Sequence, residues 1–187
     1  MRIALVVVAL TATAHADADD DHMTFLSVGP IVSASAGTHS MGGAGIEATL
    51  TKVDQDFEGW GAIVQAETGG PPFADTSHIF DDQRFGAGVL YVKGFYGVEV
   101  GPMFRTAKGV AATAGAQVGA FLTVGVLSLE ARAGIALPGT KDDPHYGSDI
   151  GLVIATKVPL QVAGKAFAIK DVSLLPCILR CKPPPKS

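Results

Sequence analysis

Hydrophobic and polar positions alternate along much of this chain. Over residues 96–105, Tyr96, Val98, Val100, Pro102 and Phe104 fall on one side. Gly97, Glu99, Gly101, Met103 and Arg105 fall on the other. Successive side chains of a β-strand point to opposite faces, so this run has one continuously apolar face and one face of glycine and charge. Seven other segments share the rhythm: residues 26–34, 43–51, 59–67, 84–92, 110–122, 127–137 and 149–157. In the fourth, the polar face turns apolar at Leu90 and Val92.

The connections alternate as well. Asp54-Gln55-Asp56, Lys93-Gly94-Phe95 and Thr123-Val124-Gly125 are tight turns. Residues 35–40, 68–83 and 138–147 make longer loops, and only the connection at 106–108 breaks the order by being short. Eight antiparallel segments near the ~9–11 residues that cross a bilayer at a tilt predict an up-and-down transmembrane β-barrel. Closure is required there, because lipid cannot satisfy the open edge of a sheet. Short turns are expected on the periplasmic side and long loops outside. Phe25, Phe57, Trp60, Tyr91, Phe95 and Tyr96 lie near the short-turn ends and predict an interfacial girdle there. Phe104 is the best member of a thinner outer one.

Which face is wet decides between a membrane barrel and a soluble barrel or sandwich, and periodicity alone does not settle it. A solvated strand face should carry Lys, Thr and Glu, yet here it carries Gly43, Gly45, Gly59, Gly61, Gly86, Gly88 and others like them. Glycine weakens a solvated strand, whereas in a narrow eight-stranded barrel it makes room for a few long side chains. Those are Glu47, Gln65, Glu99, Arg105, Gln117, Glu130, Arg132 and Lys157. Buried charge must be paired, so Glu47, Glu99, Arg105, Glu130, Arg132 and Lys157 are expected to form a lumenal ion-pair network. An interior of this size is filled by side chains, which argues against a general porin.

Composition agrees with export and with an apolar surface. Met1-Arg2, an apolar run over residues 3–10 and the ending Ala14-His15-Ala16 have the order of a cleaved signal peptide at 1–16. Residues 17–23, with Asp17, Asp19, Asp20 and Asp21, read as a disordered acidic N-terminus, 24–170 as the barrel and 171–187 as a tail. Hydrophobic residues make up 48% and charged ones 17%, with mean hydropathy +0.33. That is apolar for an exported chain with no run long enough for a spanning helix. A net charge of −4 without a basic patch gives no nucleic-acid surface. Cys177 and Cys181 are the two cysteines, and a local disulfide between them is plausible in an oxidising compartment.

The chain resembles the small OmpA-like outer-membrane β-barrels of Gram-negative bacteria over about residues 24–162. The resemblance rests on segment count, loop alternation and motifs such as Gly97-Val98-Glu99-Val100-Gly101-Pro102 and Gly115-Ala116-Gln117-Val118-Gly119. It implies an outer-membrane location among lipid and lipopolysaccharide. Such barrels usually end on a strand with a terminal aromatic, whereas this chain continues past Val162 to Lys186-Ser187. Either the tail is periplasmic and the last strand is 148–162, or 160–169 closes the barrel.

Candidate chemistry is sparse. His145-Tyr146-Gly147-Ser148 invites comparison with outer-membrane lipid A deacylases, but no carboxylate is placed to orient the histidine. A loop-to-strand turn accounts for it more simply. His39, His78 and His145 fall in external loops, where three imidazoles on one rim could hold a divalent ion. Asp81-Asp82 and Asp142-Asp143 read as solvated loop charges able to bridge lipopolysaccharide through divalent ions. Gly42-Gly43-Ala44-Gly45 precedes a strand and so is not a phosphate loop. The reading is a structural or surface-interaction barrel with no catalytic residues, metal or cofactor. The alternatives are a soluble periplasmic barrel binding a hydrophobic ligand and, more remotely, a lipid A-modifying hydrolase.

Overall fold

The computed structural model describes residues 22–38, 40–71, 80–107, 109–137 and 147–163. The expected signal peptide, the tail, Cys177, Cys181, His39, His78 and His145 lie outside them. The described strands are β1 (Met23–Gly37), β2 (Met41–Val53), β3 (Glu58–Gly70), β4 (Asp82–Lys93), β5 (Tyr96–Ala107), β6 (Val110–Val124), β7 (Leu127–Ala136), β8 (Asp149–Thr156) and β9 (Val158–Ala163). Each pairs antiparallel with its sequence neighbour from β1 to β8. The free edge of β1 then takes both β8 and β9, which closes the ring.

β8 and β9 are two parts of one stave. Ile31 faces Ala155 and Val28 faces Val158, so the register runs through Lys157 without a slip. The barrel therefore has eight staves, and the last runs over residues 149–163. That answers the choice between the two expected closing strands in favour of the earlier one, with its start at Asp149.

The interruption has a local cause. Pro30 lies opposite Thr156 in that register, and proline has no amide hydrogen to give to a ladder. Pro102 does the same on the far wall. Pairing of β4 with β5 lapses between Gly86–Met103 and Val89–Val100, where Pro102 would face Ala87. Each proline keeps its pairing on the other side, Pro30 with Ile46 and Pro102 with Ala116. Gly29 and Gly101 precede the prolines, and a Cβ on either would strike the carbonyl oxygen of Thr156 or Ala87. Staves 1 and 5 thus carry the same Val-Gly-Pro signature, four staves apart.

One end of the barrel holds tight turns. Asp54 accepts from the amides of Asp56 and Glu58, both at 2.9 Å, and so fixes the β2–β3 turn. Gly94 (φ 60°) and Gly125 (φ 63°) open two-residue turns that require a positive φ at their first position. This turn end also receives the start of β1 and the end of β9. The opposite, loop end carries the connections at 71–81 and 137–148.

Burial is the reverse of a soluble protein. Ile150 is 71% exposed, Ile135 60% and Leu152 58%, all on the outer face. Glu47 is 0% exposed and Arg105 1%, both in the lumen. The apolar residues that are buried, such as Ile31, Ile63, Leu90, Met103 and Val153, share the inward parity of the charges. Among the described residues, no helix is long and apolar enough to cross a membrane.

Three expectations change. Phe25 shares the inward parity of Met23 and Ile31, so it is not part of the interfacial girdle at the turn end. Met23 belongs to β1 rather than to an acidic N-terminus running through 23. Asp82 is not a solvated loop charge: it is 6% exposed and begins β4.

Candidate functional site

The lumen is organised in tiers. Nearest the loop end, Arg105 reaches from β5 to Asp82 on β4 through Nε–Oδ1 at 3.2 Å and Nη2–Oδ2 at 2.7 Å. This is the fork geometry that makes Arg–carboxylate pairs strong. Its Nη1 donates to Oδ2 of Asp149 on β8 at 2.8 Å, and Arg84 Nη1 donates to the same oxygen at 3.0 Å. Two arginines and two aspartates from three staves thus lock one cross-section, each almost fully buried.

Below them Arg132 pairs with Glu67, Nη2–Oε1 2.6 Å, and donates from Nη1 to Gln65 Oε1 at 3.0 Å. Ser33 donates to Glu67 Oε2 at 2.5 Å. Gln117 Nε2 is shared between Gln65 Oε1 (2.9 Å) and Glu99 Oε1 (3.0 Å), and Gln65 Nε2 donates to Glu47 Oε2 (3.1 Å). The side-chain amides therefore carry the network from Arg132 to Glu99 and Glu47.

The third tier is acid-rich. Lys157 bonds Glu47, and its ammonium lies 5.6 Å from the centre of the Phe121 ring. Glu99 and Glu130 converge over Gly119, where a Cβ would sit 2.8 Å from Glu99 Cγ and 2.7 Å from Glu130 Oε1. That Glu130 oxygen is buried with no hydrogen-bond partner.

Of the six network residues expected from sequence, Arg105, Arg132 and Lys157 each hold a carboxylate, and Glu47 is held by Lys157. Glu99 is met by glutamines, not by a cation. Asp82, Arg84, Glu67 and Asp149, absent from that expectation, carry most of the ion pairing. Their signal was parity: each lies on the same face as its strand's glycines.

At the turn end the polar tiers stop and a cavity of about 240 Å³ opens. Its walls include Phe25, Val53, Leu90 and Phe121, with hydroxyls from Ser27, Thr49, Thr51 and Thr123. Lys157 is its charged lining residue. The breaks in alternation at Leu90 and Val92 are thus cavity wall. Phe57, at the rim, adopts φ 58°, a left-handed conformation that costs a side-chain-bearing residue roughly 1–2 kcal/mol.

Outside the rim, Lys93 pairs with Glu58 at 2.8 Å and Tyr91 donates its hydroxyl to the same carboxylate. Trp60 stacks obliquely on Tyr91, centroids 5.0 Å apart at 53°.

Ser148 is exposed at the loop end, where its carbonyl accepts from the Thr38 amide at 3.5 Å. Among the described residues, no group of three or more His, Cys, Asp or Glu side chains is placed to hold a metal ion.

No protein-family model matches the chain, and no curated protein matches it. Among solved structures, Ail, the attachment invasion locus protein of Yersinia pestis, matches with a TM-score of 0.38 and 12% identity. The match covers 75% of this chain and 100% of that one.

Proposed function

We propose that the protein is an outer-membrane β-barrel with a side-chain-filled lumen and a structural or surface-interaction role. Outer-membrane lipid and lipopolysaccharide are its surroundings. The observation that carries this reading is the inverted burial: outward Ile150, Ile135, Leu152 and Leu129 more than half exposed, inward Glu47, Arg105 and Arg132 almost wholly buried. In water that exterior would be a continuous apolar patch far beyond what soluble monomers expose. In lipid it is the favourable face, and ring closure leaves no edge unsatisfied. The signal-like N-terminus supports export. The tier of Arg84, Arg105, Asp82 and Asp149 supports a lumen closed to solutes, since its side chains meet across the bore.

Membrane fractionation tests the location. Recovery with outer membranes, and an SDS-gel mobility that changes on boiling, is the expected result. Recovery in the soluble periplasmic fraction with no heat-dependent mobility would overturn the reading. Planar-bilayer recording tests closure, with no steady ion conductance expected.

A further inference from the structure

We propose that the turn-end cavity is a binding site for a small alkyl carboxylate, a single short chain with its acid group against Lys157. This holds wherever the barrel resides, because it rests on the cavity alone. The first argument is polarity. Lys157 lines the cavity whereas its partner Glu47 is fully buried behind it, so the buried pair turns its positive end to the opening. An ammonium has three donors, and Glu47 takes one of them. Ser27 and Thr49 add neutral hydroxyls to the lining. The second argument is the wall: Phe25, Leu90 and Phe121 offer apolar surface for a chain and little to orient a second polar group.

Size sets the third constraint. A cavity of about 240 Å³ falls below the roughly 300–1,000 Å³ of drug-sized ligand pockets, which limits the occupant to a single short chain such as hexanoate. Glu99 and Glu130 lie deeper and oppose an anion, which limits affinity and makes the sign of the ligand charge the decisive question.

The test is amide NMR of the full-length labelled barrel in lipid nanodiscs, titrated with hexanoate, hexanol and hexylammonium. Hexanoate should shift the Thr123, Gly125 and Lys157 amides saturably, at least tenfold more tightly than the other two. Lys157→Met should weaken hexanoate about tenfold and leave hexanol unchanged. Ser27→Phe, which fills the cavity and keeps the Lys157–Glu47 pair, should abolish the shifts, and it carries the test if Lys157→Met does not fold. Hexylammonium binding as tightly as hexanoate would overturn the assignment. So would shifts that never saturate and track the Trp60 indole outside the barrel, which would mean partition into lipid only.

Discussion

Arg105 and Asp149 meet across the lumen: Nη1 of one donates to Oδ2 of the other at 2.8 Å, joining β5 to the closing stave β8. The two residues are 44 positions apart, and their strands are not neighbours in the sheet. The contact therefore braces the barrel wall independently of its backbone ladder. Asp149 also takes Arg84, and Arg105 also takes Asp82, so each end of the brace is held twice.

Arg105→Met should cost about 3–5 kcal/mol, the range for breaking a buried pair and leaving a carboxylate unpaired. Urea unfolding of the folded barrel in detergent measures it. Arg105→Met combined with Asp82→Asn should cost less than the sum of the two changes, because the second removes the charge that the first strands. Strict additivity would mean that the tier does not act as one network.

Gly29→Ala and Gly101→Ala should each cost about 1–3 kcal/mol, the usual scale of overpacking. Their Cβ would run into backbone carbonyls, which cannot rotate aside. Gly119→Ala meets flexible carboxylate side chains instead and should cost less than either. Equilibrium unfolding of the three variants ranks them, and Gly119→Ala as the worst would refute the backbone-approach argument.

Alternation carried much of this fold to the surface of the sequence. A two-residue period fixes the face of every residue in a strand, so one glycine-rich run such as 115–119 places Gln117 in the lumen without any tertiary information. Which lumenal charges pair is another matter. Arg105 finds Asp82 on the neighbouring strand and Asp149 two sheet neighbours beyond β6. That depends on stagger, which period does not encode. Asp82 looked like loop charge because β4 begins two residues before the alternation from Arg84 becomes visible. The cavity was hidden for the opposite reason: Leu90, Val92 and Phe121 interrupt the polar face, and the interruptions are the site.

Leu152 lies midway along β8 on the outer face, 58% exposed, between Ile150 and Ile154. If lipid is the solvent there, Leu152→Arg places a guanidinium in the apolar belt and should cost up to about 2–4 kcal/mol. The same substitution on a water-facing strand would be close to neutral, since surface changes usually fall within about 0.5 kcal/mol. The outward position spares the lumenal network, so the variant can change stability only through its solvent. Refolding into lipid vesicles under urea gives the number. A loss of the membrane size, together with a near-neutral Leu160→Arg closer to the turn end, would map the depth of the apolar belt along the closing stave; a neutral Leu152→Arg would mean that the exterior does not face lipid.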